Sequence, residues 1–441
     1  MRRQKGAVAI MVALSMLMLL GVVGLVIDGG LAYMVKARLN AAVDSAALAG
    51  ARAVTTGNNQ ADQTASAQAA AAQFFAANIP SDYLLSKPNL LSTTVTFNGG
   101  MATIDVRAEA PMPVSVMQVM GFASLTPTAY AQTIRKDLDM ALVVDTSGSL
   151  QSSGAGVQAA TTTFLNQFNV TQDRVGLIHF ASGVVIDNPI SKMARGFDRT
   201  SMLTNVAAYK FDGGTSSVEG IWNARDQLNG IAPINRSSLR VIVFVSDGAP
   251  TSFGEILTFN NTRVWQGGCA VNTVGAIDST VQGLYNLNIT ANTPISDGCS
   301  FTNSNIGTVV TGLPAWYNAH DNLQQFPIVT NSPRVVTSSL SSSSAARNID
   351  RAARNLAQAV AAKARDEGTY VFTLGMGASL RVGSGPDNEV GETVLKCMAN
   401  VADSNCYNAA KPVGMYCYAA TTADLTPCFS RLASAILRIS K

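Results

Sequence analysis

Met140-Ala141-Leu142-Val143-Val144-Asp145-Thr146-Ser147-Gly148-Ser149 is the stretch that decides the fold. Five apolar residues in a row read as a strand buried on both faces. The run ends in a carboxylate followed by two hydroxyls, spaced D-x-S-x-S. Such an end aims hard oxygen ligands at one spot, which suits a small hard cation such as Mg²⁺. Composition alone yields a D-x-S-x-S in roughly one chain in ten of this length, so the motif needs company. Two stretches supply it. Gly213-Gly214-Thr215 stands before a helical pattern, and Ser246-Asp247-Gly248 ends a second apolar run at 241–245.

Each stretch also has a plainer reading. Asp, Ser and Gly favour turns, so Asp145-Thr146-Ser147-Gly148 and Ser246-Asp247-Gly248 read equally as turn sequences. Thr215 or Ser216 reads as a helix cap, and Ser216-Ser217-Val218-Glu219 as a capping box. The order of the three, with a strand before two of them, favours one metal site.

Around these stretches the pattern alternates strand and helix. Strands are expected at 140–144, 174–181, 184–186, 239–245, 369–374 and 414–418. Helices are expected at 157–168, 200–209, 216–229, 345–365 and 425–439. This is an α/β domain over 136–441 with a doubly wound, mostly parallel sheet. Residues 251–344 break the pattern. They are rich in Ser, Thr, Asn and Gly and carry Trp265, Tyr285, Trp316 and Tyr317. A loop of this length is unusual inside a compact domain. It reads as an insertion, part of it ordered, closed by a flexible tract at 339–344, whose removal leaves the α/β core folded; its aromatics either screen the site or form the insertion's own small core.

Of the 441 residues, 47% are apolar and 13% charged, with a net charge of +3, which gives little support to nucleic-acid binding. Residues 7–27 carry no charge. As a helix they span about 31 Å, one bilayer core. Arg2, Arg3 and Lys5 precede them and Asp28 is the first charge after. The positive-inside rule puts the N-terminus in the cytoplasm and the bulk of the chain outside it. A cleaved secretory signal would have a shorter apolar region and a small-residue cleavage site; Asp28-Gly29-Gly30-Leu31 offers none. A prepilin-type cut after Gly6 would call for Glu at the fifth position beyond it, where Met11 stands.

All six cysteines lie between Cys269 and Cys428 without a C-x-x-C, and the two histidines, His179 and His320, are too scattered for a usual zinc site. Disulfides in an oxidising compartment fit better, with Cys397–Cys406 and Cys417–Cys428 the local pairs and Cys269–Cys299 the remainder. His179, inside a strand, reads as packed. There is no G-x-S-x-G, Walker A or H-E-x-x-H, so an enzyme is not expected.

Past the apolar run, the helical pattern continues to residue 54. Ala41, Ala42, Ser45, Ala46, Ala47, Ala49 and Gly50 are all small, which suits close helix packing. It either lies on its own domain or packs on other subunits in the manner of a pilin. Residues 55–135 read as a small α+β domain: a helix at 61–77, strands at 92–97 and 102–109 around Asn98-Gly99-Gly100, a short helix at 114–121 and a strand at 124–134.

The stretch from Asp28 to Gly50, DGGLAYMVKARLNAAVDSAALAG, with the apolar run before it, resembles the N-terminal segment of TadE/TadG-like proteins of tight-adherence (Flp) pilus assembly. The three oxygen-rich stretches resemble the metal-ion-dependent adhesion site of von Willebrand factor A (VWA) domains. Together they make the whole chain look TadG-like: an anchor with its continuing helix at 1–54, a small domain at 55–135 and a VWA domain at 136–441.

The resemblance implies that Ser147 and Ser149 bind a cation directly, Thr215 directly or through water, and that Asp145 and Asp247 coordinate or hold waters. Mg²⁺ is the expected ion, with Mn²⁺ or Ca²⁺ as alternatives. It also implies a partner protein whose acidic residue completes the shell, and a chain anchored in a bacterial inner membrane with its bulk periplasmic or extracellular. The rival readings are a pilin-like structural subunit with a vestigial site, a surface adhesin, and a metal-dependent hydrolase.

Overall fold

The computed structural model describes residues 5–54, 60–98, 101–237, 239–260, 271–277, 280–290 and 304–439. Two compact units divide the chain, Met1–Lys136 and Asp137–Lys441.

The first unit is organised by one helix, α1 (Lys5–Ala53), 49 residues long. Its apolar N-terminal half is largely exposed, while Val35, Leu39, Ala42, Val43, Ala46 and Ala47 are buried. That three-and-four spacing is one helix face. It packs on α2 (Gln60–Asn78), through Ala67, Ala71 and Phe75, and on an antiparallel sheet. The sheet order is β1 (Asn89–Asn98), β2 (Met101–Glu109), β3 (Thr128–Lys136). A Cβ on Gly50 would stand 3.1 Å from Ile104 and 3.3 Å from the Ala67 carbonyl, so the small residues serve the unit's own core.

Asn98 pairs with Met101 across the first hairpin. Gly99 and Gly100 lie outside the described residues, as do Arg2 and Arg3. The strand expected at 124–134 is split. A short piece, Ser124–Leu125, precedes Pro127, which has no N–H for a ladder, and β3 begins after it. The helix expected at 114–121 is a single 3₁₀ turn, Met117–Met120.

In the second unit, β4 (Leu138–Asp145) and β7 (Leu239–Ser246) are buried at every position and lie side by side in parallel. β5 (Arg174–Phe180) and β6 (Val184–Asn188) continue the sheet beyond β4; β11 (Tyr370–Met376) and β12 (Tyr416–Ala419) continue it beyond β7. The order is β12-β11-β7-β4-β5-β6, parallel except for β6. Alternate residues face opposite layers. Met140, Leu142 and Val144 pack with α3 (Gly154–Leu165), α4 (Arg199–Ala207) and α8 (Thr422–Ile439). Ala141 and Val143 pack with α5 (Ser217–Asn229), α6 (Ala345–Asp366) and α7 (Gly391–Ala399). Disulfides Cys397–Cys406 and Cys417–Cys428 are present, the latter tying β12 to α8. Cys269, Cys299 and Trp265 lie outside the described residues.

The segment 251–344 is not a detachable loop. β8 (Ser252–Ile256), β9 (Val271–Ile277) and β10 (Thr280–Asn286) form a second antiparallel sheet. Phe253, Ile306, Tyr317, Phe326 and Ile328 are buried in the same core as α5 and α6. Its removal would strip one layer of the domain, contrary to the expectation that the core stands without it. Nor is 339–344 loose: Ser341 and Ser344 hydroxyls meet at 2.7 Å and Ala345 N–H bonds the Ser341 carbonyl at 2.8 Å, closing a turn into α6. β8 and α7 were absent from the sequence reading.

Candidate metal centre

β4 and β7 are neighbours in the sheet but their successors run in opposite directions, β5 to one side and β11 to the other. The carboxyl ends of such a strand pair leave a crevice. Asp145 ends β4 inside it, fully buried. Its Oδ1 accepts from the Ser147 N–H at 2.8 Å and its Oδ2 from the Ser246 hydroxyl at 2.6 Å. The carboxylate is thereby fixed from both strands. Ser147 and Ser149 hydroxyls stand 3.1 Å apart, and Ser149 donates to Asp247 Oδ1 at 2.8 Å.

The second loop is tied to the first where Gly148 N–H bonds the Gly213 carbonyl at 3.0 Å. Gly213 has a φ of 93°, and a Cβ there would stand 2.6 Å from the Ser182 hydroxyl, so only glycine makes this turn. Ser182 in turn accepts from Gly214 N–H at 2.8 Å. Thr215 exchanges bonds with Thr251: its N–H reaches Thr251 Oγ1 at 3.1 Å, and Thr251 N–H reaches its carbonyl at 3.0 Å. A Cβ on Gly248 would be 3.6 Å from Thr215 Oγ1, which sets that hydroxyl beside Asp247's neighbour.

All five residues named from the sequence therefore converge. Ser149, Thr215 and Asp247 line an open cavity of about 290 Å³, with Asp145 and Ser147 buried behind it. Sequence reasoning missed the supports: Ser182, Ser246 as the partner of Asp145, and Thr251. Ser246 was within the quoted motif, but nothing local says that its hydroxyl turns back across the sheet. The capping box is absent. Ser216 makes no side-chain cap. Glu219 turns inward and accepts from Gly254 N–H at 2.7 Å and Tyr317 OH at 2.7 Å, with His320 Nε2 2.6 Å away.

Burial pushes the Asp145 carboxyl up to about 6. Burial, with the Asp145 charge as a second cause, pushes Asp247 up to about 7. Arg354 stands at the cavity wall, but its guanidinium is committed to Asp350 at 3.2 Å and to the Ser384 carbonyl at 3.1 Å. Two buried carboxylates and three hydroxyls with no counter-cation form a hard oxygen set of low total charge. That set fits Mg²⁺, which prefers six oxygens and keeps some water. Among the described residues no three His, Cys, Asp or Glu cluster, so hydroxyls must supply the remaining protein donors. His179 is packed as expected, its ring tilted 32° against Tyr209, with Nδ1 2.8 Å from Asp187.

Residues 139–313 match the model of the von Willebrand factor type A domain. The second unit thus carries a VWA domain. Residues 6–53 match the model described as putative Flp pilus-assembly TadE/G-like. The chain thus carries a VWA domain and a TadE/G-like N-terminal segment, and that segment holds one helix long and apolar enough to cross a membrane. A search of curated proteins found no match.

Among solved structures, the chain is similar to the pilus adhesin SpaC from Lactobacillus rhamnosus GG at 14% identity and a TM-score of 0.40, covering 80% of this chain and 35% of that one. It therefore spans about a third of that adhesin's length. It is similar to the PilB minor pilin from Streptococcus sanguinis at 13% identity and a TM-score of 0.37, covering 81% and 80%. The vWF domain of the type V pili tip protein Mfa5 from Porphyromonas gingivalis matches at 15% and 0.38, covering 70% and 98%.

Proposed function

We propose that this chain works in Flp (tight-adherence) pilus assembly or surface attachment by holding a divalent cation that receives a carboxylate from a partner protein. One observation carries the reading: two carboxylates, buried and raised by that burial, meet three hydroxyls beside an open cavity. Ser147, Ser149 and Thr215 would offer neutral oxygens, and Asp145 and Asp247 would supply charge directly or through water. Mg²⁺ suits this set best, with Mn²⁺ or Ca²⁺ as alternatives. Bound there, the ion supplies Lewis acidity toward an incoming carboxylate, because two carboxylates do not over-neutralise it. Asp145 cannot reach a partner from its buried position; its task is to hold Ser147 and Ser246 in place.

The uncharged run at 8–27 supports a single-pass anchor in a bacterial inner membrane, with Lys5 on the cytoplasmic side and the VWA domain outside. The test is made in cells. A strain carrying Asp145→Ala with Ser147→Ala should insert the protein at wild-type level yet lose surface attachment or piliation. Unchanged attachment and piliation at equal protein level would sink the metal-bridge reading and favour a structural subunit.

A further inference from the structure

We infer that residues 116–122 form a second membrane element, a short apolar loop that dips into the acyl region of the bilayer beside α1. The inference rests on the anchor reading of α1. No residue from 110 to 134 is charged. Met120 and Phe122 are 56% and 48% exposed, which is costly for a tip of this kind in water. The loop does not hang free. Its seat is on α1 itself, within the uncharged run.

A Cβ on Gly21 would stand 3.0 Å from Met120 Sδ, and one on Gly24 would stand 3.1 Å from Val116 Cγ1 and 3.2 Å from the Met117 nitrogen. The two glycines share a helix face and let the loop backbone approach closely. Gly21 lies seven residues before Asp28, about 10 Å along the helix. A loop seated there is level with the hydrocarbon that surrounds the exposed side chains of α1. Continuity with the spanning helix identifies the occupant of the patch as lipid.

Backbone groups in hydrocarbon must be satisfied by the protein, and five N–H groups at 115–122 find partners within this unit. The Asp28 carboxylate accepts from the N–H groups of Ser115, Val116 and Met117, at 3.1, 2.9 and 2.8 Å. Gly121 N–H bonds the Gln118 carbonyl and Phe122 N–H bonds the Met117 carbonyl. Asp28, the first charge after the span, is thus enclosed by the loop's own donors and is almost unexposed. The arrangement would brace the anchor against the small domain at the membrane face.

The test uses the full chain in nanodiscs, with and without lipids brominated on the acyl chains, and reads Trp emission above the wild-type background. Phe122→Trp should be quenched as strongly as Leu14→Trp, which sits in the span. Phe74→Trp, on α2 beside Leu48 of α1 and so about 30 Å beyond Asp28, should not be quenched. Met120→Trp repeats the measurement should Phe122→Trp misfold. If Leu14→Trp is quenched and neither loop probe exceeds Phe74→Trp, the loop inference is overturned while the anchor stands. If Leu14→Trp itself is unquenched, the anchor reading falls and the inference with it. Loop probes shielded from lipid only at high protein density would assign the patch to a second copy, which also overturns it.

Discussion

The three loops of the site and the segment 251–344 are built from much the same residues, Ser, Thr, Gly and Asn, yet they do opposite work. The loops gather polar atoms at a cavity and bury two carboxyls, both raised by that burial. The segment hides apolar side chains among polar ones and completes the layer over α5 and α6. Polar composition therefore does not distinguish a ligand loop from a structural layer. What distinguishes them is what they face: an open cavity in the first region, the shared apolar core in the second.

Deleting residues 253–343 tests the contrast most severely. Phe253, Ile306, Tyr317, Phe326 and Ile328 are nearly inaccessible, and each such side chain contributes about 2–5 kcal/mol. Their combined loss, about 10–25 kcal/mol, matches or exceeds the roughly 5–15 kcal/mol that holds a domain folded. The variant should show no cooperative urea transition. A native-like transition would return the segment to the status of an appendage.

Glu219 and Asp247 sharpen the comparison, since both are buried acids beside the same loop. Glu219 has three partners from its own chain. Glu219→Ala should cost about 3 kcal/mol by leaving buried donors unmet, read as a lower urea midpoint with or without Mg²⁺. Asp247→Asn should be neutral or stabilising in EDTA near pH 8 and should abolish any stabilisation by Mg²⁺. Similar losses for both in EDTA would erase the distinction.

The pH dependence of the metal-free protein follows. Burial raises Asp145 and Asp247 to about 6 and 7, above the ordinary aspartate value of about 3.9. The folded state then holds more protons than the unfolded one across that window, so metal-free stability falls as pH rises from about 4 to 7. Saturating Mg²⁺ should flatten the fall. Midpoints in EDTA that rise over this range would contradict the assignment.

The smallest effect belongs to Glu255, fully buried with no hydrogen-bond partner among the described residues and raised well above the usual range by burial. Glu255→Met should raise the midpoint slightly near pH 8, whatever the metal. A lower midpoint would mean the carboxyl is engaged after all.

The sequence was legible where the signal was local. Buried runs ending in Asp145 and Ser246-Asp247, the glycine turn at Gly213, and the two cysteine pairs nine and eleven residues apart all announce themselves within a short window. The strand β8, the inward turn of Glu219 and the burial of Tyr317 were illegible for one reason. Each depends on a partner far along the chain, as Glu219 does on Tyr317 and His320. A Ser-x-x-Glu pattern carries a local meaning, and tertiary burial overrode it.

Titration of the full chain with Mg²⁺ in a calorimeter, wild type against Asp145→Ala with Ser147→Ala, tests the central claim most directly. The account predicts one saturable site in the wild type and none in the double variant, with both proteins folded by circular dichroism. Equal binding by the two proteins, or no binding by either even with a carboxylate such as acetate present, would contradict it.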